Sequence, residues 1–116
     1  MAQKYIIGDI FMYKNRIHTI IDILASYGYE LSYVRHPVSP VRLSRAPLTT
    51  EILEKNGWKN LYEKFFEKNV NNIRLTIEFG ENIYVAINRI FIMEIHYIHE
   101  LQHLLFGLGL NSEMEV

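Results

Sequence analysis

The chain has 116 residues, of which 49% are hydrophobic and 22% charged, a balance typical of one folded domain rather than of a disordered segment. It contains no cysteine, which excludes disulfide bonds, thiolate metal sites and cysteine nucleophiles. The net charge of −1 combines six Lys and Arg against three Asp and Glu in residues 1–50 with six against ten in residues 51–116, so we expect a local basic site but no general nucleic-acid binder.

The first part of the chain is predicted to be mainly β-structure. β-Branched and aromatic residues fill Tyr5–Tyr13 and Ile17–Leu24, and the turn-like residues between them predict a hairpin. A third strand is expected over Tyr29–Arg35. Alternate residues of the second run lie on opposite faces of a half-buried strand, Ile17, Thr19, Ile21 and Ile23 on one and His18 and Asp22 on the other. Three prolines then disfavour helix and central strand and predict a loop or a sheet edge: Pro37, Pro40 and Pro47.

A short helix is predicted next. Thr49 or Thr50 can cap it, because a threonine oxygen accepts a hydrogen bond from a free backbone N–H, and Gly57 can end it in the left-handed conformation. The following segment, Leu61–Lys68, is ambiguous because its aromatic and leucine side chains also pair at helical spacing. We assign it to a strand.

A second antiparallel hairpin and a longer helix complete the predicted elements. Asn72–Phe79 alternates between apolar and polar side chains, and a glycine-containing turn connects it to Ile83–Ile87. Met93–Leu108 has apolar residues at helical spacing. The sequence thus predicts a single α+β domain: an SH3-like set of short amino-terminal strands, a small linking helix, the second hairpin and an amphipathic helix packed on the sheet. Its predicted bounds are 1–116 for the domain, mainly β over 1–47, helix over 48–58, β over 61–92 and helix over 93–109.

The last helix contains the pattern H-E-x-x-H at residues 99–103. Two histidines one helical turn apart, His99 and His103, can bind zinc, and Glu100 can activate a water molecule. A catalytic zinc needs a third protein ligand, however, and the only carboxylates downstream, Glu113 and Glu115, follow the glycines that end the helix. We therefore expect no metal and no cofactor, and a zinc hydrolase is the alternative.

The same helix carries its histidines on one face. On a helical wheel, His96, His99, Glu100 and His103 lie opposite the apolar residues. This arrangement favours a solvent-exposed face. A contact between subunits is the second interpretation, and protonation could weaken it below about pH 6.5.

Residues 35–45 form a basic stretch with two prolines. It has no acidic residue and holds Arg35, His36, Arg42 and Arg45. Guanidinium groups suit phosphate oxygens, and prolines reduce the entropy lost when such groups are held in place. Trp58 and Tyr62 are flat enough to stack on a base. Together these residues predict a small nucleotide pocket, the alternative being that the arginines are solvated and that Trp58 fills the core.

Three segments carry a resemblance to a known family. Residues 46–58, A-P-L-T-T-E-I-L-E-K-N-G-W, resemble the signature P-L-T-x-E-I-L-x-K-N-G-F, and residues 98–106, I-H-E-L-Q-H-L-L-F, resemble Y-V-H-x-L-Q-x-L-Y-F. Residues 7–10, I-G-D-I, are similar to I-G-N-x-V. The signatures are those of an uncharacterised family of small proteins encoded by phages and mobile elements of gut Bacteroidetes. Its members often carry glutamine and asparagine at the positions of Glu100 and His103, and phenylalanine at that of Trp58. The resemblance therefore implies a coincidental zinc motif and a core position for Trp58.

These observations favour a non-enzymatic binding protein. We expect it to sequester an anionic, nucleotide-like small molecule in the cytoplasm of a bacterial host, countering host defence signalling, with Arg35, Arg42 and Arg45 on phosphate. An interaction module that docks on a host or virion protein is the alternative, and a second copy of the chain is a further candidate partner. No segment approaches the roughly 20 apolar residues of a membrane span, and no secretion signal opens the chain, so no membrane partner is expected.

Overall fold

The computed structural model describes residues 8–14, 16–24, 28–32 and 43–116, and these residues form an α+β fold of nine strands and two helices. The strands are β1 (Ile10–Tyr13), β2 (Arg16–Leu24), β3 (Gly28–Leu31), β4 (Ser44–Arg45), β5 (Lys59–Tyr62), β6 (Phe65–Val70), β7 (Ile73–Phe79), β8 (Ile83–Ile87) and β9 (Ile90–Ile95), and the helices are α1 (Thr50–Lys55) and α2 (Ile98–Gly107). The predicted α+β class is confirmed. Within the described ranges, neither helix is long and apolar enough to cross a membrane.

The amino-terminal strands form a four-stranded antiparallel sheet in the order β3-β2-β1-β4. β1 and β2 make the predicted hairpin, with Tyr13 opposite Arg16 beside the turn. The edge predicted for the proline-marked stretch is confirmed at β4, which pairs with β1 on the outside of the sheet. Residues 5–7 and 33–42, which hold parts of the predicted strands and loop, lie outside the described residues.

Strand β2 buries the face that carries its histidine. His18 and Ile20 are buried, whereas Ile17 is 40% exposed. The histidine fits there because its Nδ1 lies 2.8 Å from the carbonyl oxygen of Ser32 and its ring contacts the edge of Tyr13. Isoleucines occur at both odd and even positions of β2, so the alternation could not select the buried face.

Helix α1 forms where the sequence predicts it. The hydroxyl oxygen of Thr49 accepts a hydrogen bond from the backbone N–H of Ile52 at 3.2 Å, which satisfies one donor of the first turn. Gly57 follows the helix with φ = +86°, a conformation that a residue without Cβ adopts without strain. The helix buries Ile52 and Leu53 in the main core.

The second sheet is an antiparallel meander in the order β5-β6-β7-β8-β9. The ambiguous segment Leu61–Lys68 belongs to strands β5 and β6, so its assignment to β-structure is confirmed, and a turn at Glu63 and Lys64 interrupts it. β7 and β8 form the predicted second hairpin. The inner face of the sheet contributes side chains to the main core, among them Leu75, Ile77, Ile83, Val85 and Ile95.

Helix α2 is shorter than predicted. Residues 93–95, which we assigned to the helix, belong to β9, and the helix begins at Ile98. The predicted start is wrong because the apolar run Ile90–Ile95 pairs along β8, and backbone pairing of a β-rich segment outweighs a helical spacing that merely continues into it. The helix nevertheless buries Ile98, Leu101 and Leu105 in the main core, as their spacing predicts.

Candidate functional site

Helix α2 is attached to the beginning of β1 by Gln102, whose side chain is almost completely buried. The Oε1 atom of Gln102 accepts a hydrogen bond from the backbone N–H of Ile10 at 2.9 Å. Its amide nitrogen donates to the carbonyl oxygens of Gly8 at 2.8 Å and Ser112 at 3.1 Å. Buried backbone groups require such partners because they have lost water. Gln102 thereby fixes residues 8–10 on the helix.

Asp9 and His103 form a second connection at the same place. The Oδ2 atom of Asp9 lies 2.7 Å from Nε2 of His103, and the Asp9 side chain is 1% exposed while that of His103 is 36% exposed. An ionised carboxylate only accepts hydrogen bonds, so the proton of this bond lies on Nε2. The other ring nitrogen of His103, Nδ1, is the one that Asp9 does not engage.

His99 is packed between aromatic rings rather than exposed. Its ring stacks on Phe11 with centroids 4.7 Å apart and on Tyr97 at 6.0 Å, and it meets the ring of His103 edge-on at 5.6 Å. The solvent-exposed face predicted for the helix histidines is therefore wrong for His99, which is 7% exposed, whereas His96 is exposed as predicted. The error arises because α2 packs on β1 as well as on the main core, so a second side of the helix is covered.

Burial lowers the pKa of His99 below its ordinary value of 6.5. The carboxylates of Asp9 and Glu100 oppose this shift, and the positive charges of His103 and Arg45 add to it. The imidazole of His99 is therefore neutral at pH 7, and it can donate or accept one hydrogen bond but brings no charge to its surroundings.

Glu100 caps the amino terminus of α2. Its Oε1 atom accepts hydrogen bonds from the backbone N–H groups of His96 at 2.9 Å and Tyr97 at 3.0 Å. A carboxylate in the first turn also interacts favourably with the positive end of the helix dipole. The glutamate of the H-E-x-x-H pattern thus has a structural partner in the backbone.

Arg45 reaches the same region from β4. Directly after β4, Pro47 forms an isolated antiparallel bridge with Tyr97, and the N–H of Ile98 donates to the carbonyl oxygen of Ala46 at 2.8 Å. This connection places the guanidinium of Arg45 above the ring of Tyr97, 5.3 Å from its centroid, at the distance of a cation–π contact. In the described part of the chain, Arg45 forms no salt bridge with a carboxylate.

These side chains surround an open pocket of about 490 Å³. Two polar imidazoles, a guanidinium, a carboxylate and two apolar side chains line it: Arg45, Met93, His99, Glu100, His103 and Leu104. The pocket therefore combines the fixed positive charge of Arg45 and the carboxylate of Glu100 with an apolar wall.

Comparisons of the chain with protein-family models, with curated proteins and with solved structures give no match. The chemistry of the pocket has to be inferred from its own residues.

Of the six ligand-binding residues predicted from the sequence, the structure places Arg45 in this pocket. Trp58 is 3% exposed within the main core, and burial leaves its ring no face for a base, so the stacking role predicted for it is wrong and the alternative core position is correct. Tyr62 lies on β5, where it contacts Phe65, and it does not line the pocket. The remaining three lie outside the described residues: Arg35, His36 and Arg42.

The two histidines of the zinc pattern are neighbours, with ring centroids 5.6 Å apart. Among the described residues there is no group of three or more His, Asp or Glu side chains suited to a metal ion. The Nε2 atom of His103 is bonded to Asp9, and the carboxylate of Glu100 caps the helix.

Asp9 and Gln102 are the site residues that sequence reasoning missed. The zinc pattern predicts a further carboxylate ligand downstream of His103, whereas the carboxylate beside it precedes it by 94 positions. Asp9 lies within residues 7–10 and Gln102 within residues 98–106, two segments that the sequence had already singled out. The structure brings Gly8, Asp9 and Ile10 into direct contact with the second of these segments.

Proposed function

We propose that this protein binds a small anionic ligand without converting it, in the pocket beside α2. The observation that carries this proposal is Arg45, an exposed guanidinium at the pocket that has no salt bridge within the described ranges. A guanidinium presents N–H donors in a planar fork that matches two oxygens of a phosphate. The ring of Tyr97 beneath it restricts the orientation of the fork.

The rest of the pocket suits the non-phosphate part of a nucleotide-like molecule. Met93 and Leu104 provide apolar surface, and His99 and His103 provide ring nitrogens for hydrogen bonds. A volume of about 490 Å³ lies within the roughly 300–1,000 Å³ of small-molecule pockets. In our proposal the protein acts in the cytoplasm of a bacterial host, as a phage or mobile-element protein that withdraws a signalling nucleotide.

Binding without turnover is favoured because Glu100 and His103, two of the pocket groups that could transfer protons, already have structural partners. The carboxylate of Glu100 is held by two backbone N–H groups, and Nε2 of His103 is held by Asp9. A general base has to be within hydrogen-bond reach of the proton that it removes, and the Oε1 atom of Glu100 already accepts two backbone hydrogen bonds.

Isothermal titration calorimetry with adenosine monophosphate, a cyclic dinucleotide and inorganic phosphate tests the proposal. We expect saturable binding of one nucleotide per chain, weaker binding of inorganic phosphate because it leaves the apolar wall empty, and a loss of affinity at high salt. Arg45→Ala should weaken binding by about tenfold or more, the range expected for a hydrogen-bonded charge. Arg45→Lys should retain part of the affinity, because it keeps the charge and loses the fork.

Arg16→Ala is the matched control, since Arg16 is also an exposed arginine but lies at the beginning of β2 and does not line this pocket. Its affinity should equal that of the wild type. If none of the three anions binds, or if Arg45→Ala binds as tightly as the wild type, the pocket is not an anion site. Recovery of a chemically altered nucleotide after incubation would contradict binding without conversion.

A further inference from the structure

Strand β9 is an edge of the five-stranded sheet, and its exposed side chains are apolar. In the part of the chain that the structure describes, no strand pairs with the outer side of β9. Ile90, Phe91 and Ile92 are 66%, 60% and 44% exposed. A long apolar edge with unpaired backbone N–H and C=O groups favours the addition of another strand.

The opposite edge of the same sheet, β5, has features that disfavour pairing with a strand of another molecule. β5 has four residues and begins with Lys59 and Asn60, and lysine on an edge strand disfavours the approach of a second strand. β9 has six residues and a single charged side chain, that of Glu94. Of the two edges, β9 is therefore the one suited to a partner strand.

The middle of β9 contains a bulge residue that has no pairing partner in the neighbouring strand. The pairing of β9 with β8 shifts at a bulge, where Val85 lies opposite Met93 and Ala86 lies opposite Phe91. Ile92 is the extra residue between them and has no partner in β8. Its side chain lies near the centre of the strand, where a two-fold axis would bring it close to its own copy.

The charges at the two ends of β9 are complementary to a second copy. Arg89 immediately precedes the strand, Glu94 lies close to its end, and both are exposed. Two copies related by a two-fold axis perpendicular to the sheet run antiparallel, so the beginning of one strand lies beside the end of the other. Arg89 of each copy then lies beside Glu94 of the other, and opposite charges across paired strands are stabilising. A second copy supplies this charge order by symmetry.

We propose that the protein forms a homodimer in which β9 pairs antiparallel with β9 of a second copy. The two five-stranded sheets then form one continuous sheet, and the exposed apolar side chains of both edges are covered together. Because the contact is isologous, it closes on itself and does not extend to larger assemblies.

Sedimentation velocity and light scattering over a range of protein concentrations test this proposal. We expect the wild-type mass to approach that of two chains as the concentration rises, with no larger species. Ile92→Lys places a charge at the centre of the pairing edge and should weaken self-association about tenfold or more. Leu61→Lys introduces the same charge on the opposite edge, β5, at a residue of similar exposure, and should leave the dimer unchanged.

The charge pairing is tested by exchange. Arg89→Glu and Glu94→Lys should each weaken the dimer, and the double variant should restore it, because the two charges are opposite in both arrangements. Circular dichroism and thermal unfolding of every variant establish that the fold is intact. A chain that stays monomeric at all concentrations, a dimer indifferent to Ile92→Lys, or a double variant no tighter than the single ones would each overturn the proposal.

Discussion

The Nε2 atom of His103 lies 2.7 Å from Oδ2 of Asp9, although 94 positions separate the two residues in the chain. One position earlier in the same helix, Gln102 is hydrogen-bonded to the backbone of Gly8 and Ile10. The segment before β1 is thus attached to α2 by polar bonds at buried positions. Such bonds depend on both partners, because a buried polar group that loses its partner has no water to replace it.

Replacement of His103 by alanine tests the bond to Asp9. The carboxylate would lose its imidazole partner in a position where its side chain is 1% exposed. We expect the free energy of unfolding to fall by about 2–3 kcal/mol, as is typical of hydrogen bonds to charged groups. Urea unfolding followed by circular dichroism measures this change. His96→Ala, at an exposed histidine close to the start of the same helix, should change stability by less than about 0.5 kcal/mol, and equal effects of the two variants would contradict the structural role of the bond.

Replacement of Gln102 by leucine should cost more stability than most surface changes. Leucine has a similar size but no polar atoms, so the N–H of Ile10 and the carbonyl of Gly8 would lose their partner. At about 1–3 kcal/mol for each of these two groups left unsatisfied, we expect the free energy of unfolding, measured in urea, to fall by about 2–6 kcal/mol. Gln102→Glu keeps the acceptor for Ile10 but places a carboxylate oxygen, which cannot donate, against the carbonyl oxygens of Gly8 and Ser112. Because a buried charge without donors is costly, this variant should be no more stable than the leucine variant near pH 7.

Substitutions of Glu100 distinguish its role as a helix cap from the alternative that it is the catalytic glutamate of a zinc hydrolase. Glu100→Gln keeps an oxygen that can accept from His96 and Tyr97 but removes the negative charge at the helix amino terminus. We expect Glu100→Gln to lower the free energy of unfolding by about 0.3–1 kcal/mol because the charge is lost. Glu100→Ala should lower it further because the hydrogen-bond acceptor is removed as well. Purified wild-type protein should contain no stoichiometric zinc by elemental analysis. A zinc content near one per chain, accompanied by a hydrolytic activity that Glu100→Gln abolishes, would establish the zinc hydrolase instead.

The parts of the fold that could be predicted are those whose signals are local. Thr49 and Gly57 mark the two ends of α1 by their own backbone chemistry, and the strict alternation over Asn72–Phe79 specifies a half-buried strand wherever it occurs. β9 could not be identified in this way. Ile90–Ile95 is an apolar run without clear alternation, and pairing with β8 decides its conformation.

The candidate site depends on contacts between distant segments, and only its members could be proposed from the sequence. Arg45 and the helix histidines were each recognisable as functional candidates. Arg45 lies beside these histidines because Pro47 forms a bridge with Tyr97. A contact of this kind between distant segments cannot be predicted from the periodicity of the sequence. The burial of His99 was missed for a related reason, because a helical wheel separates one apolar face from the rest and does not show that a second face is covered.

The lowered pKa of His99 predicts how stability depends on pH. In the unfolded chain the imidazole titrates near 6.5, whereas in the folded chain burial shifts its pKa downward. Below about pH 6.5 the unfolded state therefore binds more protons than the folded state, and the free energy of unfolding decreases as the pH falls, until the folded-state imidazole is protonated too. Above about pH 7.5 neither state binds this proton, so His99 contributes no pH dependence there.

His99→Phe isolates this contribution. Phenylalanine keeps a ring against Phe11 and Tyr97 and does not titrate, so the decrease in stability between about pH 7.5 and pH 5.5 should become smaller by up to one proton's slope, about 1.4 kcal/mol per pH unit at most. His99→Leu also removes the titrating group and should show the same reduced slope, at a lower overall stability because it loses the ring stacking. Urea unfolding at a series of pH values measures all three proteins. A wild-type slope that His99→Phe leaves unchanged would show that this imidazole is protonated equally in the folded and unfolded states.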